Sequence, residues 1–199
     1  MPTPPGYAQV LPPDRLLLLC ALIAPILGCG DDQSQELADA APPALDAEAQ
    51  ACTFAGFASS TELAERDDEI GVLLYTASSG VSPAIELLTF DLYFSLGANE
   101  TPHEFSFSGQ NLADCHTCLM IRRDCMAGNC SSGKAVLAQE GSATIPAIGA
   151  AGMPLQGTLS NIKFAEVTIN IATQRTTLVP GGDTWCIDRY DFDQNVTGP

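Results

Sequence analysis

Positive charge, histidine and tryptophan are scarce in this chain: of 199 residues, 8 are Lys or Arg, 2 are His and 1 is Trp. Against 24 acids this leaves a formal charge of −16. Phosphate binding relies on clustered Lys and Arg, so nucleic acid is excluded as a partner. The chain also lacks an apolar run long enough to span a bilayer, which takes about 20 residues. The longest, Leu16 to Leu27, is shorter and carries Pro25. Neither His103, in ETPHE, nor His116, between two cysteines, comes with a G-x-S-x-G elbow, and H-E-x-x-H, a P-loop and a G-x-G-x-x-G are missing. No catalytic residue, metal site or cofactor is therefore assigned. DFDQN, Asp191 to Asn195, begins like a calcium loop, but its sixth position is Val196 where such a loop needs Gly. Tyr190 and Phe192 alternate with Asp191 and Asp193, which predicts a terminal strand with one wet face.

What is present starts with a targeting pattern. Leu16 to Leu27 suits the h-region of a secretory signal, although the preceding segment is long and proline-rich and Arg15 is its one base. A start codon placed too far upstream accounts for the extra length. Ile26, Leu27, Gly28 and Cys29 resemble the bacterial lipobox. That resemblance implies cleavage before Cys29 and diacylglycerol on its thiol, an anchor worth about 0.8 kcal/mol per buried CH₂. Residues 30–51, GDDQSQELADAAPPALDAEAQA, carry acids, no base and no apolar face, and read as a disordered tether. As a flexible coil it reaches about 25 Å on average. The expected organisation is a signal peptide over 1–28, a lipidated Cys29 and acidic tether over 29–51, and one domain over 52–199.

Within the domain, short apolar runs rich in β-branched and aromatic residues are separated by Gly, Pro, Asn and Ser, and long helical periodicity is missing. In ELLTFDLYFS, Leu88, Phe90, Leu92 and Phe94 share one side, with Thr89, Asp91 and Ser95 on the wet side. HEFSFSG repeats the pattern with Phe105 and Phe107. TCLMIRR is apolar on both sides and reads as a central strand. The run Gly141 to Ile171 predicts a hairpin turning near Gly149 to Met153, with a bulge between Phe164 and Ala165 where its apolar phase changes. A turn at Pro180 to Asp183 feeds a last strand from Trp185, whose indole is expected to pack on a disulfide in the core. In SSTELAERDD, Ser59 and Glu62 stand at capping-box spacing and predict a short helix or turn. The fold class is all-β: an antiparallel β-sandwich or barrel-like single domain stapled by disulfides.

Six cysteines fall in the domain: Cys52, Cys115, Cys118, Cys125, Cys130 and Cys186. An even count in an exported chain predicts three disulfides, and six cysteines allow 15 pairings. Close C-x-x-C partners usually bond elsewhere in structural frameworks, so separate partners are expected for Cys115 and Cys118. Two other readings compete. One takes CHTC as an exchange-active dithiol, although a strand-like run follows it and no βαβ unit surrounds it. The other takes the cluster with His116 as a zinc site, disfavoured where thiols are oxidised.

The lipobox, the Ala/Asp/Pro tether, DCHTCLMIRRDC, GTLSNIKFAEVTIN and VPGGDTWCID together resemble a group of predicted lipoproteins of myxobacteria and related bacteria, with the shared pieces covering most of Asp114 to Asp188. The resemblance implies an envelope habitat and carries no site across. The expected protein is a lipoprotein of the outer membrane or cell surface, held to the membrane by its lipid and acting as a non-catalytic module for an envelope protein or a glycan. The competing expectation is a hydrolase, for example glycoside-directed, with a site of scattered carboxylates.

Overall fold

The computed structural model describes residues 51–81, 84–126, 130 and 133–198. The expected signal peptide, Cys29 and all of the expected tether but Ala51 lie outside the described residues. Ten strands are present: β1 (Phe54–Ala55), β2 (Thr61–Asp67), β3 (Val72–Val81), β4 (Ala84–Tyr93), β5 (His103–Ser108), β6 (Thr117–Met126), β7 (Ala135–Ile148), β8 (Pro154–Ile169), β9 (Thr176–Leu178) and β10 (Thr184–Thr197). A single 3₁₀ turn, Phe94–Leu96, follows β4, and no α-helix occurs among the described residues. The all-β expectation holds, and of its two forms the barrel is the one adopted.

Seven strands close the barrel in the order β10, β2, β3, β4, β6, β7, β8, with β8 returning to β10. Closure depends on β10. It runs antiparallel to β8 along nearly its whole length, and its other edge meets two short parallel partners, β1 at Trp185 and Cys186 and β2 at Val196 and Thr197. Alternation fills the interior. Leu73, Tyr75 and Ala77 of β3, Leu88, Phe90 and Leu92 of β4, and Leu119 and Ile121 of β6 all point inward and are buried. Gly157 is needed for space: it lies opposite Phe192 on β10, and a Cβ there would run into that ring.

Most predicted elements are found. The hairpin of β7 and β8 turns at 149–153, β10 begins at Thr184, and β6 is central, between β4 and β7. Tyr190 and Phe192 are buried while Asp191 and Asp193 are exposed, as the alternation requires. Trp185 is in the core, stacked on Phe54 with ring centroids 5.3 Å apart, and its Nε1 donates to the Gly56 carbonyl at 2.7 Å.

Three expectations are corrected. TELAERD is strand β2, because Ala64 fills an inward position and the backbone pairs with β3 and β10; Ser59 and Glu62 do bond, through side chains alone. The strand holding Leu88, Phe90 and Leu92 stops at Tyr93, so Phe94 packs from the 3₁₀ turn. The bulge expected at Phe164 is not there, since Phe164 and Ala165 pair in unbroken register with Ala138 and Leu137. Val167 is instead buried on the barrel's other face, in a second cluster with Met120, Ala135 and Leu137. The inward phase slips earlier, between Leu159 and Ile162, where Asn161 takes a left-handed φ of 52°, and between Ile187 and Tyr190 opposite.

Candidate functional site

The barrel wall is interrupted between β4 and β7, beside the CHTC turn. Strands β5 and β6 run in the same direction along β7: His103–Ser108 lies against 140–145 and Met120–Arg122 against 135–137. They are two halves of one strand, broken by an outward excursion over 109–116. On its other side β5 has no strand partner among the described residues.

Side-chain amides hold the excursion down where backbone pairing is lost. Gln110 imitates a strand residue: its Nε2 donates to the Thr117 carbonyl and its Oε1 accepts from the Leu119 N–H at 3.2 Å. Asn111 does the same toward β9, donating to the Thr176 carbonyl at 2.9 Å and accepting from the Thr176 N–H at 3.1 Å. The amide of Gln139 donates to the Gln110 carbonyl at 3.3 Å. The Tyr93 N–H donates to the His116 carbonyl at 2.8 Å, which fixes the CHTC turn to the end of β4. Polar side chains in GQN read as loop from sequence alone; their role as backbone substitutes needed the fold.

Beside this turn lies a cavity of about 330 Å³, lined among others by Phe105 and Ser108 of β5, Gln110, Cys115 and His116. The pairing of its cysteines departs from expectation. Cys115 bonds Cys118, with Cα atoms 5.5 Å apart, because the chain turns back on itself as it enters β6. The other bridges are Cys52–Cys186 and Cys125–Cys130. All six domain cysteines are thus oxidised in pairs, and no group of three or more His, Cys, Asp or Glu able to hold a metal occurs among the described residues. Cys115 is partly exposed and Cys118 is buried.

Asp91 stands directly opposite Cys118 across the β4–β6 ladder. Its face was expected to be wet; Asp91 is only partly exposed there. The Oδ1 of Asp91 is buried with no hydrogen-bond partner, and Oδ2 accepts from the Tyr93 hydroxyl at 3.2 Å. Burial pushes the carboxyl up to about 6, against smaller opposing effects of Tyr93 and Arg122.

Two further polar clusters are structural. Along the edge of β10 that lies open between its pairings with β1 and β2, Glu62 accepts from the Tyr190 hydroxyl and from Gln194 Nε2, each at 2.9 Å, and the Tyr75 and Tyr190 hydroxyls meet at 2.7 Å. Burial raises the Glu62 carboxyl, but its donors, Ser59, Tyr190 and Gln194, outweigh that and hold it below the ordinary value. At the other end of β10, Arg123 lies 3.7 Å over the Phe54 ring and bonds Asp183 at 3.1 Å. Its Nε is 3.9 Å from Glu86, close enough to attract but too far to hydrogen-bond, so that buried N–H has no partner.

The carboxyls raised by burial, Glu86 and Asp91, do not converge. They sit on one strand at a separation of roughly 16 Å, beyond the reach of glycoside chemistry, whose paired carboxyls are about 5 to 9.5 Å apart. A smaller groove of about 260 Å³ includes Glu65 and Asp67, but Asp67 accepts from the N–H groups of Glu69 and Ile70 to build a turn. On the exposed face of β10, Asp191 takes Arg189 and Thr158 and Asp193 takes Gln156, so these acids have cross-strand partners of their own.

No known family model, curated protein or solved structure matches the chain.

Proposed function

We propose that the protein is an extracytoplasmic lipoprotein whose β barrel is a non-catalytic binding module, tied through Cys29 to the outer membrane or cell surface and presenting its loops to an envelope protein or a glycan. The observation that carries this reading is the position of the Cys52–Cys186 bond. Cys52 is the first domain residue after the acidic tether, and the bond fastens it to β10, the strand that pairs with β1, β2 and β8. A pull on the tether is thereby delivered to the strand that closes the barrel. Three disulfides fit an oxidising compartment, and the lipobox and the likeness to predicted myxobacterial lipoproteins support the same habitat. The interior is filled by side chains, so a ligand meets the outer surface and its loops. Carboxyls raised by burial that stand far apart count against the hydrolase alternative.

Replacing Cys29 with Ser in the producing bacterium tests the anchor. The variant is expected to stay unprocessed or to leave the envelope fraction, while the wild-type N-terminal peptide carries glyceride by mass. Envelope retention equal to wild type, with no glyceride on the wild-type peptide, overturns the reading.

A further inference from the structure

Asp91 Oδ1 is, with Arg123 Nε, one of two buried side-chain atoms without a hydrogen-bond partner among the described residues. A carboxylate oxygen without a partner is costly to keep, and it lies across from a half-bond whose other sulfur lines a cavity. We infer that Cys115–Cys118 is an exchange-active disulfide, taking two electrons from a dithiol on an extended polypeptide that lies along the free edge of β5, with Asp91 supplying the proton to the leaving sulfur. This adds a stoichiometric exchange, one bond consumed per substrate dithiol, to the binding role and stands on separate observations.

Access assigns the order of events. Cys115 lines the cavity and is partly exposed, whereas Cys118 is buried, so an incoming thiolate meets the Cys115 sulfur. That attack forms a substrate–Cys115 disulfide, breaks the Cys115–Cys118 bond and releases Cys118 as a thiolate. A buried thiolate is a poor leaving group, and Asp91, directly across the ladder, protonates it and recovers its proton from solvent. A second substrate thiolate then attacks the substrate sulfur of the mixed bond and expels Cys115, which takes a proton from water. The substrate dithiol becomes a disulfide, and Cys115 and Cys118 become two thiols. Once reduced, Cys118 has an acceptor, since its sulfur lies 3.1 Å from the Cys115 carbonyl.

The excursion is built to survive reduction of the bond. Gln110, Asn111 and Gln139 pin it to β6, β9 and β7 independently of the bond. The substrate class follows from β5, whose unpaired edge borders the cavity with Phe105 and Ser108 and offers a backbone ladder to an extended chain. The groups facing Asp91 are few: Tyr93 from its own strand, Arg122 and Cys118 from β6, and apolar Leu74 from β3.

The test uses the full-length protein with dithiothreitol, and separately with an extended Thr/Val-rich peptide carrying two cysteines, quenching with iodoacetamide and mapping each bridge by mass. Cys115–Cys118 is expected to open at least about tenfold faster than the other two bridges, with circular dichroism unchanged. The peptide is expected to react faster than dithiothreitol at equal thiolate. Referred to the thiolate form, the rate rises between about pH 7 and about pH 5 in the wild type, and in Asp91→Asn it is flat and roughly tenfold lower at the acid end. Opening no faster than the other bridges, or only on unfolding, overturns the site. Equal rates with peptide and dithiothreitol overturn the substrate, and an unchanged pH profile in Asp91→Asn overturns the proton donor. Loss of the Cys29 anchor changes none of these rates, so failure of the lipoprotein reading is told apart.

Discussion

The three disulfides look alike in sequence, yet loop length makes them unequal. Cys52–Cys186 joins residues 134 apart, whereas Cys115–Cys118 and Cys125–Cys130 join residues 3 and 5 apart. In the chain-entropy account, removing the long link restores about 5 kcal/mol of denatured-state freedom, against about 2 kcal/mol for either short one. Typical domains have about 5 to 15 kcal/mol in all. The perturbation is Cys52→Ala with Cys186→Ala, compared with Cys115→Ala with Cys118→Ala. Trp185, the single tryptophan, is buried against Phe54 beside the long link and reports unfolding in urea by fluorescence. The first variant is expected to lose about 5 kcal/mol, which at this domain size lowers Tm by roughly 10 to 20 °C. It should also show a steeper urea dependence, because its unfolded chain exposes more surface. The second variant should lose no more than about 2 kcal/mol and keep its urea slope. Equal losses in the two variants, or an unchanged slope in the first, would refute the reasoning.

Other perturbations probe the interior. Asp91→Asn removes a buried charge; since the folded carboxyl is raised to about 6, the wild type is relatively more stable in acid and loses that advantage as pH rises from the unfolded value toward 6. The variant is therefore expected to gain roughly 2 to 3 kcal/mol at neutral pH and nothing below about pH 4, measured as urea midpoints across pH. Glu62 has the opposite sign: its lowered pKa contributes stability that is present above the unfolded value and is lost as pH falls through the folded one. Glu62→Gln should flatten that acid limb of the melting profile and cost about 1 kcal/mol at neutral pH, where a charged acceptor is replaced by a neutral one. Gly157→Ala should cost roughly 1 to 3 kcal/mol in thermal unfolding, because the added methyl displaces the Phe192 ring.

Residue type and period two were enough to read most of the fold from the chain. Leu88, Phe90 and Leu92, the two-faced TCLMIRR strand, the turn at 149–153 and the buried Tyr190 and Phe192 all follow from local alternation and turn chemistry. What alternation does not carry is which face has a second layer behind it. Asp91 occupies a wet-face position by period, yet its Oδ1 is buried by surroundings that the period does not reveal. Val167 changes phase for the same reason, having an outer cluster to join. Ser59 and Glu62 satisfied a local helix rule, and pairing with β3 and β10 overrode it, as non-local ladders override weak propensities. Cysteine pairing likewise lay beyond the sequence, because it depends on which Cα atoms the folded backbone brings within about 6 Å. The sequence by itself determined an oxidised all-β domain and most of its strands. Only tertiary structure decided that the sheet closes on itself, that the close pair Cys115 and Cys118 bond each other, and that a buried carboxyl stands across from them, since each is set by contacts between residues distant in the chain.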